Sequence, residues 1–247
     1  REWIRQLNLL QINNILQISS KVEIGWNDLC KCYTTIFNND FTKIRGIQAK
    51  LQLKPNATPV FIKARRIPFK LVPLVEKEID KLVEAGVLEK VNTSQWATPV
   101  VPVLKSNNTI RLCGDFKVTV NPNLQIDEYP LPTIDELLSS MAGGIYFSKI
   151  DLRNAYLQLE VVPEDRPLLT LNTHKGLYQC NRLLYGIASA PAIWQREIEK
   201  ILCDIPGVTV FIDDIKVTGL SYEEHLHTLK TVFERLSKYN IKINKEK

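Results

Sequence analysis

Apolar positions change their spacing several times along the chain, and each change marks an element. Leu74, Val75, Ile79, Leu82 and Val83 recur at helical spacing between Pro68 and Gly86, and Gly86 stands where a helix would stop. Thr98 to Leu104 and Ile110 to Cys113 read as extended runs around the polar turn Ser106-Asn107-Asn108-Thr109. Thr133 and Glu136 fit a capping box opening a helix through Leu137, Leu138 and Met141, which Gly143-Gly144 ends. Ile145 to Ile150 follows as a strand, and a hairpin is expected around Asn172 to Gly176. Ser189 and Pro191 suit a helix start, with Trp194, Ile198, Ile201 and Leu202 as its apolar face. Val208 to Ile212 and Ile215 to Val217 read as the strands of another hairpin. Ser221 and Glu224 then cap a last helix, carried by Leu226, Leu229, Phe233 and Leu236 to about Tyr239. Strands and helices mix without regular alternation, so the expected fold class is α+β rather than a doubly wound sheet. Residues 1 to about 58 carry weak signals: Trp3, Ile4 and Leu7 could begin a helix, and Asn13-Asn14 and Asn38-Asn39 read as interruptions.

Composition adds bounds. At 247 residues, 45% hydrophobic and 24% charged, the chain has an ordinary globular balance and needs no disulfide staples. Its five cysteines, Cys30, Cys32, Cys113, Cys180 and Cys203, lack paired metal spacing, which points to a reducing compartment and no zinc. No apolar run reaches the roughly 18 residues of a membrane span, and no secretory signal opens the chain. A net charge of +5 permits a polyanionic partner without demanding one. Its distribution says more: Lys63, Arg65, Arg66 and Lys70 cluster, and Lys105, Arg111 and Lys117 recur across the first hairpin. A solvated charged face is the competing reading of the first cluster.

The candidate chemistry lies between the strands of the later hairpin, where Asp213 and Asp214 stand side by side. Burying neighbouring carboxylates is costly unless a cation meets them. Asp151 ends the Ile145 to Ile150 strand about sixty positions earlier, so two strand ends each deliver carboxylate. Paired side by side, they would make an oxygen-rich site suited to a hard divalent cation, and two such ions can drive phosphoryl transfer. An exposed Asp-Asp turn is the alternative. His225 and His227, two apart on a helix, are expected at the surface and give no nuclease-like cluster.

The motifs in order carry a resemblance. Leu131-Pro132, Asp151-Leu152-Arg153-Asn154-Ala155-Tyr156, Asn181 to Gly186, Ala190-Pro191-Ala192-Ile193-Trp194-Gln195 and Phe211-Ile212-Asp213-Asp214 closely resemble the reverse transcriptase of Gypsy-type LTR retrotransposons. The resemblance covers roughly residues 55 to 247 and implies a right-hand polymerase, with fingers at about 55–125 and 159–188 and palm at about 126–158 and 189–247. Residues 1–54 resemble the connector between retroelement protease and polymerase. It implies two Mg²⁺ ions, with Mn²⁺ as a substitute, on Asp151, Asp213, Asp214 and the Leu152 carbonyl. Lys105, Arg111, Arg153, Asn154, Ala155, Tyr156 and Tyr185 would meet the dNTP, Tyr156 as steric gate and Arg153 to Ala155 through backbone N–H groups. Trp96, Pro99, Arg182, Gly186, Phe211 and Ile212 would meet template and primer. Implied partners are an RNA template, a DNA primer strand, dNTP and further Pol segments (thumb, RNase H, integrase), in the cytoplasm within a retroelement particle, with nuclear presence as an option.

Two departures stand out. Leu184-Tyr185 replaces the family's usual Pro-Phe, which loosens a loop while keeping a stacking ring, and Lys216 replaces an aliphatic residue. The sequence stops at Lys247, before the thumb that the resemblance implies. The expectation is weak, salt-sensitive template binding and poor polymerisation, with an inactive nucleic-acid-binding remnant as the alternative.

Overall fold

The computed structural model describes residues 25–38, 40–105 and 108–245. The helix start expected at Trp3, Ile4 and Leu7, the Asn13-Asn14 interruption and the tip residues Ser106-Asn107 lie outside the described residues.

In chain order the elements are α1 (Trp26–Cys32), β1 (Gln48–Ala49), α2 (Val72–Glu84), β2 (Leu88–Val91), β3 (Thr98–Leu104), β4 (Ile110–Gly114) and α3 (Ile134–Ser140). There follow β5 (Tyr146–Asp151), β6 (Glu160–Val161), β7 (Thr170–Thr173), β8 (Gly176–Cys180), α4 (Ala190–Leu202), β9 (Val208–Phe211), β10 (Asp214–Gly219) and α5 (Tyr222–Tyr239). Five strands form one sheet in the order β2-β8-β7-β3-β4, and three form a second in the order β5-β10-β9. Pairing in both is antiparallel except between β3 and β7, the α+β arrangement that the irregular alternation of elements implies.

Each helix is placed by its apolar stripe. Val75, Ile79 and Leu82 are buried on α2, which packs against β2 and β4 of the larger sheet. Helix α5 buries Leu226, Leu229, Val232, Phe233 and Leu236 and packs on β10 and β5. The capping box at Thr133 is complete: its hydroxyl accepts the Glu136 N–H at 3.3 Å, and the Glu136 carboxylate accepts the Thr133 N–H at 2.6 Å. At α5 the Ser221 hydroxyl accepts the Glu224 N–H at 3.1 Å, but the Glu224 carboxylate turns to the N–H of Leu220, not of Ser221.

The stretch expected to be a connector is built into the core where it is described. Leu29, Ile36, Ile44, Ala49 and Leu51 are buried. The rings of Trp26, Tyr33 and Phe37 stand 6.1, 6.0 and 5.7 Å from that of Phe233 on α5. These apolar residues serve partners remote in sequence, so they show no period of their own.

His225 corrects another expectation. It is buried, with Nε2 2.8 Å from the Ser148 hydroxyl on β5. A side chain at Gly219 would approach the His225 backbone to 2.9 Å, so glycine there lets α5 lie close on the sheet. His227 remains exposed.

Candidate active site

In the β9–β10 hairpin Phe211 pairs with Asp214, leaving Ile212 and Asp213 as the turn. Strand β10 pairs on its other side with β5, which sets Asp214 directly opposite Asp151. The Leu152 N–H continues that ladder, donating to the Asp213 carbonyl at 2.8 Å. The two acid-bearing strand ends thus lie side by side.

Ile212 holds a φ of +52°. A β-branched residue in the left-handed region costs about 1–2 kcal/mol, so its surroundings must fix it there. Helix α4 supplies the restraint. The Trp194 indole N–H donates to the Ile212 carbonyl at 2.8 Å, and Gln195 Oε1 accepts the Ile212 N–H at 2.7 Å. Gln195 Nε2 also donates to the Val210 carbonyl at 2.8 Å. Both side chains are fully buried. The apolar spacing of this helix places Trp194 on its buried face and assigns Gln195 no role. The available signal was a buried-helix glutamine beside a tryptophan, two polar groups that must find partners.

Charge around the acids is partly balanced by the chain itself. Lys149 Nζ lies 2.9 Å from Asp214 Oδ2, and the Asn244 side-chain amide donates to Asp151 Oδ1. Oδ1 of Asp213 is buried and accepts no hydrogen bond. As the side chains stand, no group of three or more His, Cys, Asp or Glu among the described residues is gathered tightly enough to hold a metal ion. The donor set, carboxylate oxygens at two adjoining strand ends, nevertheless fits a hard divalent cation.

Opposite charge faces the acids across a cleft of about 920 Å³, whose walls include Lys105, Arg111, Arg153, Asp151, Asp213 and Tyr185. The β3–β4 hairpin brings Lys105 and Arg111 there, and the Lys105 N–H closes the hairpin by donating to the Thr109 carbonyl at 2.8 Å. Burial, and then the neighbouring Arg111 charge, lowers the Lys105 pKa. The Arg111 guanidinium sits 5.0 Å from the centre of the Tyr185 ring, which lies 4.7 Å from that of Tyr156. Tyr156 in turn meets Trp194 edge-on at 6.0 Å. One stack therefore joins a cation of the hairpin to the helix that clamps Ile212. Burial first, and the Asp213 charge second, pushes the Tyr156 hydroxyl up to about 12 and that of Tyr185 upward as well.

Other expected contacts fall elsewhere. Trp96, Pro99, Arg182 and Tyr156 are buried and are not among the residues that line the cleft. Burial lowers the Arg182 pKa, and the nearby charge of Glu160 opposes that shift. The Arg153 N–H, expected for phosphate, donates to the Lys242 carbonyl at 3.0 Å; its side chain lines the cleft instead. Asn154, at φ +45°, also lines the cleft and leads the short turn that begins at Ala155. Gly186 is exposed at φ +97°, in a loop that Asn121 clamps through the Gly186 carbonyl and the Ala188 N–H. Phe211 and Ile212 are half-buried. Leu184 packs in the core, and Lys216 is half-buried opposite Lys149.

A sheet whose paired strand ends carry three aspartates, facing a cationic hairpin, is the framework of a nucleic-acid polymerase. A family model described as reverse transcriptase (RNA-dependent DNA polymerase) matches residues 104–247, and the chain belongs to that family. It is 38% identical over 203 residues to an uncharacterized Caenorhabditis elegans protein, covering 81% of this chain and 16% of that one. It is 33% identical over 205 residues to the retrovirus-related Pol polyprotein from transposon opus of Drosophila melanogaster, covering 80% and 20%. The foamy viral protease-reverse transcriptase in complex with RNA/DNA hybrid superposes with a TM-score of 0.79 at 22% identity, covering 99% of this chain and 33% of that one. The polymerase fold is shared with it, and the chain spans a fifth or less of these two relatives' length.

Proposed function

We propose that this chain carries the polymerising centre of a Gypsy-type LTR retroelement, extending a DNA primer on an RNA or DNA template by transfer of a dNTP to the primer 3′-hydroxyl. The observation that carries the reading is the single cleft that sets Asp151 and Asp213 against Lys105, Arg111 and Arg153. The foamy viral structure that shares the fold is in complex with an RNA/DNA hybrid, and the Drosophila relative is a retrovirus-related Pol polyprotein from a transposon.

Asp151, Asp213 and Asp214, with the Leu152 carbonyl, would hold divalent cations, Mg²⁺ with Mn²⁺ as a substitute. Bound there, such ions supply an activated hydroxyl and neutralise charge on the departing phosphate oxygen. The chain's own groups do the rest. Lys105 and Arg111 draw in the triphosphate, and Arg111 can exchange the face of Tyr185 for two phosphate oxygens through its planar fork. Tyr156, packed edge-on against Trp194, would limit the room beside the sugar and so favour dNTP over rNTP. The Trp194 and Gln195 hydrogen bonds keep Asp213 on a fixed turn, as a preorganised site requires. The expected setting is a retroelement particle in the cytoplasm.

The test is incorporation of dNTP on a primed RNA template with Mg²⁺ or Mn²⁺, alongside an Asp213→Asn control. Metal-dependent extension that the control abolishes supports the reading. Extension unchanged by Asp213→Asn rejects the metal assignment.

A further inference from the structure

The last described residues approach the acids by a route that begins at a helix end. Asn240, at φ +61° and ψ 33°, terminates α5; its N–H donates to the Ser237 carbonyl at 3.1 Å, and the Ile241 N–H to the Leu236 carbonyl at 2.8 Å. This is the paired hydrogen-bond pattern of a Schellman stop, with asparagine tolerating the left-handed position. The chain turns back there, and Ile241, Lys242 and Ile243 are buried. Running antiparallel to the end of β5, this segment accepts the Arg153 N–H at the Lys242 carbonyl, bridges Ile243 to Leu152, and donates the Asn244 N–H to the Asp151 carbonyl at 2.9 Å.

Three further contacts hold the segment in register. The Lys242 N–H donates to Gln158 Oε1 at 2.7 Å, Lys242 Nζ donates to the Thr35 carbonyl at 2.7 Å, and the Ile243 N–H donates to the Ile36 carbonyl at 2.9 Å. Asn244 is therefore anchored by the paired segment that precedes it and by its own N–H to the Asp151 carbonyl. Its side-chain amide donates to Oδ1 of Asp151 and lines the same cleft.

We infer that Asn244 is a positioning residue for Asp151: its amide donates to Oδ1 and fixes the rotamer of the carboxylate that would hold a divalent cation. The inference rests on the metal reading above. An amide donor suits the task, because it neither competes for the cation nor titrates. Hydrogen bonds of this kind to ligating carboxylates are worth about 10- to 100-fold in metal affinity.

Mn²⁺ binding, followed by the loss of free-ion EPR signal without nucleic acid or dNTP, tests it on the full chain and on Asn244→Leu, Asn244→Ala and Asp213→Asn. Leu keeps volume and Ala removes it, so agreement between them isolates the amide. The expected result is about tenfold weaker Mn²⁺ binding per folded molecule in both Asn244 variants, with melting in EDTA little changed. If the unmodified chain binds Mn²⁺, Asp213→Asn does not, and both Asn244 variants bind as tightly as the unmodified chain, Asn244 is merely structural and the inference fails. If the unmodified chain binds no Mn²⁺, or Asp213→Asn binds equally well, the metal reading beneath it fails instead.

Discussion

The ammonium of Lys149 lies 2.9 Å from Oδ2 of Asp214, on the diagonal of a square whose rungs are like-charged. Asp151 faces Asp214 across β5 and β10, and Lys149 faces Lys216. Each rung alone is unfavourable, and long side chains reach the diagonal neighbour that offsets it. The arrangement makes Lys149 the resident counter-charge of the Asp214 carboxylate.

Replacing Lys149 by methionine should therefore lower the stability of the chain in EDTA only slightly, by about 0.5 kcal/mol, because that lysine is largely exposed. Mg²⁺ should then stabilise Lys149→Met more than the unmodified chain, since no ammonium must leave Asp214. Thermal melts with and without Mg²⁺ read both effects. An equal or smaller Mg²⁺ shift in the variant would show that Lys149 does not compete at the site.

The Ile212 turn offers a second measurement. Trp194→Phe keeps a ring on α4 but leaves the Ile212 carbonyl without its indole donor, and Gln195→Ala removes two hydrogen bonds to the turn strands. Each should cost about 1–3 kcal/mol by urea denaturation, the usual penalty for orphaning buried polar groups. In primer extension, kcat should fall about tenfold while KM for dNTP moves little, because the turn carries Asp213 rather than the triphosphate contacts. A rise in KM at constant kcat would assign these residues to nucleotide binding.

Much of this was legible in the chain. The Asp151 and Asp213-Asp214 strand ends, the Thr133 capping box and the helices at Leu74 and Leu226 all follow from local spacing and local chemistry. What escaped was non-local. Trp26, Tyr33 and Phe37 pack on Phe233 of α5, the Ile36 carbonyl accepts the Ile243 N–H, Gln195 bonds a turn seventeen positions away, and Asn244 meets Asp151 ninety-three positions away. Asn240 could have been read as a helix stop, yet where the reversed chain would travel depends on the assembled sheet. Arg182 shows the converse: a charged residue inside a recognised motif serves the interior as readily as the cleft.

Discrimination by Tyr156 should depend on its ring and not on its hydroxyl, which burial and the Asp213 charge keep neutral with a pKa of about 12. Tyr156→Phe should leave the dNTP over rNTP preference in kcat/KM intact. Tyr156→Val should reduce it by about 100-fold, the scale on which a shaped pocket rejects an extra group. It should also destabilise the chain, because the ring is held between Tyr185 and Trp194. Single-nucleotide incorporation with matched dNTP and rNTP measures the ratio. Equal selectivity in Tyr156→Val and the unmodified chain would move the gate elsewhere.

His225 supplies a pH dependence whose sign follows from its burial. Desolvation beneath α5 lowers its pKa below the ordinary 6.5, while the ring hydrogen-bonds Ser148 and stacks on Tyr146. The folded chain thus holds a neutral imidazole at a pH where the unfolded chain begins to take up a proton. Stability contributed by the neutral ring is present above about pH 6.5 and is lost as pH falls through that value toward the depressed folded pKa. Urea denaturation between about pH 7.5 and 5.5 should show stability falling with acidity, before carboxylate protonation dominates at lower pH. His225→Gln, which keeps a polar partner for Ser148 and cannot titrate, should flatten that slope while lowering stability at neutral pH. An undiminished slope in His225→Gln would place the titrating group elsewhere in the chain.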